Sequence, residues 1–327
     1  MARPRKTLID LDSTPYYHVI SRCVRRAFLC GDDTYSGKNF DHRRQWVLDH
    51  IRLLSSVFAV DVAAYAIMSN HYHLVLRVSR EEALAWPDDE VIERWYKLYA
   101  GHTLVDLYRK GMVDDKVRLD IIAQIVDVWR MRLFDISWFM RNLNEYIARE
   151  ANKEDGCTGR FWEGRFKSQA LLDESAVLAC MAYVDLNPIR AKMENTPETS
   201  KHTSICIRAK AIKQKKRQPP QLLPFVGNHT QHMPKGIAYS LKDYCELVDC
   251  TGRCIREDKA GHIEHHHNPI LERLGLSDEQ WLTLTTEFEK HFCYAAGAEQ
   301  MMHQFKEHTG HQRMRGMYHS KALLKRA

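Results

Sequence analysis

The sequence predicts an α+β fold: a central antiparallel sheet with helices packed mainly on one face, followed by a mostly helical C-terminal module. Three observations carry this. Two β-like runs, "AVDVAAYAIM" (59–68) and "HYHLVLRV" (71–78), are separated only by the polar pair Ser69-Asn70, which suits an antiparallel hairpin. The segment "ISWFMRNLNEYIARE" (136–150) sets Ile136, Phe139, Met140, Leu143 and Ile147 on one stripe, the pattern of a helix lying on a sheet. From about residue 200 the character changes to a basic, proline-containing stretch and then to short amphipathic segments.

Taken in order, "YYHVISRCV" (16–24) reads as a strand, and "DHRRQWVLDHIRLLSSVF" (41–58) repeats Trp46, His50, Ile51, Leu54 and Phe58 near a helical period. The hairpin follows. Residues 81–135 read as a helical insertion broken at Trp86-Pro87, and the 136–150 helix comes next. "GRFKSQALL" (164–172) is the fourth strand, Asp173 caps the helix "ESAVLACMAYVDLN" (174–187), and Pro188 helps to stop it. This gives one domain over 1–200, a basic linker or extended arm over 201–225, and a helical module over 226–327 suited to DNA or partner contact. Within that module Ser277 is the expected cap before Trp281.

The bulk numbers bound the function. At 327 residues, with 44% hydrophobic residues and seven Trp, the chain can bury a large core. No stretch approaches the roughly 20 uninterrupted apolar residues of a membrane span, and "MARPRKTLID" lacks the apolar centre of a signal peptide. The expected location is therefore cytoplasmic and nucleoid-associated, with no membrane partner. Nine scattered cysteines without a CxxC read as reduced packing residues. The net charge of +6 is unevenly spread: residues 201–327 hold 20 Lys+Arg against 13 Asp+Glu, whereas residues 81–135 hold 12 acidic and 8 basic side chains. An acidic insertion should face away from a polyanion, and the remaining surface should approach it.

The chemistry sits in "SNHYHLVLRV" (69–78). His71 and His73, spaced i, i+2 on a strand, project from one face of the sheet and can share a metal ion, while Tyr72 points the other way and is structural, as is Tyr65. A third ligand must come from another element. Tyr183 and Asn187 are one helical turn apart; if their face meets the histidine face, Asn187 supplies a carbonyl oxygen and Tyr183 sets a phenol beside a Lewis acid, a nucleophile for a phosphodiester. Read singly, each is ordinary: the histidines as polar residues on an exposed sheet face, Tyr183 as a half-buried aromatic, Asn187 as a helix C-cap.

Together, "NHYHLVL", "ISWFMRNLNEYIARE", "GRFWEGRFKSQALLDE" and "MAYVDLNPIRA" resemble the blocks of the IS200-like and REP-associated tyrosine transposases of the HUH endonuclease superfamily, in that family's order and over about residues 14–195. The "YxxxNP" form is closer to the REP-associated branch, since IS200-like enzymes use Gln at the third ligand. The resemblance implies the HUH-type ferredoxin-like sheet, Mg or Mn held by His71, His73 and Asn187, and Tyr183 as the nucleophile. It implies cleavage and rejoining of single-stranded DNA at or near a hairpin, such as a REP element, through a 5'-phosphotyrosine intermediate. Dimers occur among the minimal enzymes and monomers among the REP-associated ones, so a monomer or weak homodimer is expected. The 81–135 insertion and the C-terminal module have no counterpart in the minimal family core.

Candidate DNA contacts are Arg22, Arg25 and Arg26 at the end of the first strand, Arg165 and Lys167 on one face of the fourth, and the run Lys213, Lys215, Lys216, Arg217. Each cluster is otherwise a solvated face. Phe161 and Trp162 read as core before they read as a stacking platform for bases. The histidines of "GHIEHHHNP" (261–269), namely His262, His265, His266 and His267, read as incidental, because Cys250 and Cys254 lack the second pair a zinc site needs. The second function reading is a hairpin-DNA-binding regulator without cleavage activity in the cell. A third is a nuclease in which water attacks and Tyr183 is structural.

Overall fold

Why these residues form a sheet is visible in their burial. In the computed structural model, which describes residues 4–24, 29–33, 37–227, 234–256 and 269–324, every strand of the hairpin is buried along nearly its whole length. The chain is α+β, as the sequence predicts. Strand β1 (Tyr16–Arg22) leads through a two-stranded ribbon, β2 (Asp32–Asp33) and β3 (Lys38–Asn39), into helix α1 (His42–Val57). The hairpin β4 (Val60–Ile67) and β5 (His71–Val78) follows, with the Met68 amide donating to the His71 carbonyl at 2.9 Å across the Ser69-Asn70 turn. The insertion comprises α2 (Arg80–Ala85), α3 (Asp88–Tyr96), α4 (Thr103–Arg109) and α5 (Lys116–Leu133), with the break at Trp86-Pro87. Then come α6 (Ile136–Asp155), β6 (Lys167–Leu171) and α7 (Glu174–Asp185), whose first turn is capped by the Asp173 carboxylate accepting from the Ala176 amide at 2.9 Å.

The five-stranded sheet runs β4-β5-β1-β6-β7, where β7 (Ala295–Ala296) comes from the C-terminal region and pairs parallel to β6. The sheet is thus antiparallel over its four longer strands and mixed at its edge. Helices cover both faces rather than mainly one. Tyr72 bonds the α6 residue Asn144 on one side, and His73 faces Tyr183 of α7 on the other. The reason is physical: strands apolar on both faces need a helical layer on each.

Residues 201–225 also differ from the expected linker. Part of that stretch is α9 (Ser204–Lys213), capped by Thr203, and its Arg208 is fully buried, donating to the carbonyls of Ala63 at 2.8 Å and Leu223 at 3.0 Å. Between α7 and α9 lies the short α8 (Asn187–Arg190). Asp185, at the end of α7, accepts from the Ile205 amide at 2.9 Å and the Tyr244 hydroxyl at 2.8 Å, which ties α7 to α9 and to α10 (Leu241–Arg256). After α11 (Pro269–Leu274), helix α12 (Asp278–His291) starts on a capping box between Ser277 and Gln280 and packs along α7. Helices α13 (Glu299–His308) and α14 (Met317–Leu323) close the chain.

Candidate active site

Strand register builds one polar face on the sheet. Directly opposed residues of antiparallel neighbours project to the same side. Arg22 stands opposite His71, Ile20 opposite both His73 and Lys167, and His18 opposite Gln169. One face of three strands therefore carries His18, Arg22, His71, His73, Lys167 and Gln169. Helix α7 lays Tyr183 over it, with the Tyr183 ring centroid 6.2 Å from those of both His18 and His73.

The hydrogen bonds fix the imidazoles in sequence. Gln169 Oε1 only accepts, so His18 Nδ1 donates to it at 3.3 Å. His18 Nε2 then accepts, and His73 Nδ1 donates to it at 2.9 Å. That leaves the lone pair on His73 Nε2, a buried atom with no hydrogen-bond partner among the described residues. His71 lies edge-on to His73 at 4.9 Å between centroids, and its Nδ1 meets Asn70 Oδ1 at 2.6 Å. With Nδ1 donating there, His71 Nε2 is also left with its lone pair. Burial holds the rings neutral: it lowers His18, lowers His73 well below the ordinary imidazole value, and brings His71 to about 4, helped by the Arg22 charge. Neutral, oriented imidazoles backed by hydrogen-bonded partners are what a divalent metal needs.

Glu289 of α12 is the carboxylate at this place. Its Oε1 accepts from the Tyr183 hydroxyl at 2.9 Å and lies 3.7 Å from His73 Nδ1. Ligand atoms of His18, His73 and Glu289 all fall within 4.8 Å of one another, close enough to hold a metal ion if the His18–His73 hydrogen bond gives way. The Arg190 guanidinium stacks 3.5 Å from the Tyr183 ring centroid, donating to the Tyr183 carbonyl at 3.1 Å and to the Thr286 carbonyl at 2.9 Å. The Tyr183 phenol is raised to about 12, first by burial and then by the Glu289 charge, against the opposing pull of Arg190.

The sequence-derived residues are distributed as follows. His71, His73 and Tyr183 are brought together. Asn187 is buried at the start of α8, and among the described residues no hydrogen bond joins its side chain to either histidine. Arg22, Arg165 and Lys167 line a cavity of about 170 Å³ together with Ile20, His73 and Glu289. Lys213, at the end of α9, and Lys215, Lys216 and Arg217 beyond it are exposed and do not line that cavity. Arg25, Arg26 and the histidines at 262 and 265–267 lie outside the described residues. Phe161 and Trp162 are buried, with the Trp162 indole donating to the Asn144 carbonyl at 2.8 Å.

Four participants escaped sequence reasoning: His18, Gln169, Arg190 and Glu289. The alternation in "YYHVISR" places His18 two residues from Ile20 and four from Arg22, but only the pairing register sets that face against His73. Nothing local marks Glu289.

No protein-family model matches the chain, and no curated protein matches it. A solved structure described as "Structure of the REP associates tyrosine transposase bound to a REP hairpin" is similar over 72% of this chain and 98% of that one, at 11% identity and a TM-score of 0.37. At those values the likeness assigns no residue a role. No helix of the described residues is long and apolar enough to cross a membrane.

Proposed function

We propose that this chain is a metal-dependent single-stranded DNA endonuclease and strand transferase acting at hairpin, REP-like DNA, with Tyr183 as its nucleophile. The observation that supports the reading most is the meeting of Tyr183 with two neutral, oriented histidines, one of them with a buried Nε2 that has no partner among the described residues, beside a cavity lined by Arg22, Arg165 and Lys167 together with Glu163 and Glu289. Of the four sequence blocks resembling tyrosine transposases, those that carry His71 and His73, Lys167, and Tyr183 bear on this place, while the α6 block packs on the other face of the sheet.

The donors fit Mg or Mn. His71 and His73 would hold the ion through Nε2, with Glu289 as the adjacent carboxylate and Asn187 as the amide ligand that the resemblance implies. A divalent ion there supplies Lewis acidity to a non-bridging phosphate oxygen. The chain's own residues do the rest. Arg22, Arg165 and Lys167 bind the phosphate. The Tyr183 proton passes to the Glu289 carboxylate, which already accepts its hydrogen bond. The phenolate oxygen then bonds phosphorus as the P–O3' bond breaks, the 3' oxygen takes up a proton, and the 5'-phosphate stays on Tyr183. The reverse attack by a 3'-hydroxyl rejoins the strand, so no external energy source is needed.

Peptide mapping after reaction with a single-stranded hairpin oligonucleotide tests this: nucleotide mass should sit on the peptide containing Tyr183. One observation favours the regulator reading instead, namely that Tyr183 is largely buried under α12 and engaged by Glu289. Under that reading hairpin DNA binds and no peptide is modified. We propose a monomer or weak homodimer, which sedentation-velocity boundaries at two concentrations would separate.

A further inference from the structure

Helix α5 carries two apolar stripes. Ile122, Val126, Trp129 and Leu133 are buried and seat it on the rest of the insertion and on α6. At 3.6 residues per turn, Val117, Ile121, Val128 and Met131 fall on the opposite side, and they are 69%, 43%, 48% and 55% exposed. Of the eleven large apolar side chains exposed among the described residues, five belong to this one helix. One stripe is enough to hold a helix on its own domain. The outer one is surplus to folding, and among the described residues nothing covers it.

The outer stripe is spaced for a second helix. Val117, Ile121, Gln124, Val128 and Met131 follow one another at intervals of four, three, four and three, the repeat with which one helix inserts its side chains between those of another. The seam is about 21 Å long at 1.5 Å per residue. Its flanks differ in sign: Asp120 and Asp127 lie along one edge, Arg118 and Arg132 along the other. Pairing two copies parallel and in register brings Asp127 of each beside Arg132 of the other, whereas antiparallel pairing sets Arg118 against Arg132 and Asp120 against Asp127. Such edge pairs contribute little affinity, but they choose the orientation. Gln124, the one polar member, gives the same answer. Parallel pairing sets the two Gln124 amides against each other, each able to donate and to accept, while antiparallel pairing would bury each against Val128.

We propose that the outer face of α5 is a homodimer interface, in which two copies of this chain pair parallel and in register along the seam from Val117 to Met131. The seam itself names the occupant: a second copy supplies the same repeat, the matching charges and the matching amide at once. Two heptads are marginal as isolated helices, but α5 is already folded onto α3, so association carries no cost of forming the helix. A contact this short gives a weak dimer. The proposal goes beyond the DNA-cleaving reading and does not depend on it. Tyr183, His73 and Glu289 meet within one chain, and α6, on which α5 packs, covers the sheet face away from Tyr183, so each copy keeps a whole candidate site.

Sedimentation equilibrium of the full chain over a wide concentration range tests it. The mass should rise with concentration toward twice the 38.3 kDa of one chain. Ile121→Glu/Val128→Glu sets carboxylates across the seam and should hold the mass at one chain throughout. Both side chains are exposed, so folding should be retained, and a thermal melt checks it. Orientation is read with Val117→Cys under mild oxidation. The two copies of that position lie side by side in the parallel pair and at opposite ends in an antiparallel one, so a covalent dimer should form that the wild-type chain, with its nine native cysteines, does not give. A monomer at every concentration, a dimer that survives Ile121→Glu/Val128→Glu, or no new covalent dimer with Val117→Cys overturns the proposal. A Tyr183 adduct measured in parallel keeps the two ideas apart: a dimer without adduct sinks the cleavage reading alone, and an adduct from a monomeric wild type sinks the dimer alone.

Discussion

His73 Nε2 is buried without a partner among the described residues, and this orphaned lone pair is the sharpest chemical statement a single residue makes here. Its orientation depends on His18 and Gln169, which touch no substrate in the proposed scheme and act by fixing the tautomer. Replacing such supporting groups commonly costs roughly 10- to 100-fold in metal affinity. His18→Gln should therefore weaken Mn binding by that factor in titration calorimetry; unchanged affinity would remove His18 from the site. Glu289→Gln should lower the Tyr183 pKa, since the carboxylate charge helps to raise it, and ultraviolet titration of the phenol reads this directly. The histidine pair and the tyrosine were legible from spacing because each lies on one regular element. His18, Arg190 and Glu289 were not, because their roles arise only where separate elements meet.

Among the elements, α7 carries the proposed nucleophile and is anchored at both ends by carboxylates. Asp173 caps its first turn and also accepts from the Ala298 amide at 2.5 Å, just beyond β7, so one side chain joins α7 to the C-terminal region. Asp173→Ala should destabilise the fold by about 1 kcal/mol from loss of the cap alone, measured by urea unfolding; no change would show that the cap is dispensable. Helix α6 could be read from periodicity because burial imposes a period of 3.6 on it, and the hairpin could be read as two continuous apolar runs about a polar pair because its strands are buried on both faces. Strand β7 could not, since two alanines carry no pattern. The α9 helix was hidden by its basic end: Lys210, Lys213, Lys215 and Lys216 suggest a solvated arm, while Ile205, Cys206 and Arg208 are buried on the other side.

For the whole molecule, the C-terminal region is built into the site: β7 extends the sheet and α12 supplies Glu289. Acid should loosen this assembly. His71 and His202 are brought from 6.5 to about 4 by burial, so the unfolded chain takes up their protons first. Their contribution is fully present above about 6.5 and is lost as pH falls toward about 4. Urea midpoints should decline across that window, and a His202→Asn variant should decline less; identical declines would assign the acid sensitivity to other groups.

The central claim is that Tyr183 attacks a DNA phosphate, and one measurement addresses it most directly. Single-stranded hairpin oligonucleotides labelled at the 3' end are incubated with the protein and Mg or Mn, then run on a denaturing gel beside Tyr183→Phe and His71→Ala. The account predicts a labelled protein-DNA adduct that requires the metal, is abolished by Tyr183→Phe and is strongly reduced by His71→Ala. An adduct that survives Tyr183→Phe, or strand cleavage with no adduct at all, would contradict it.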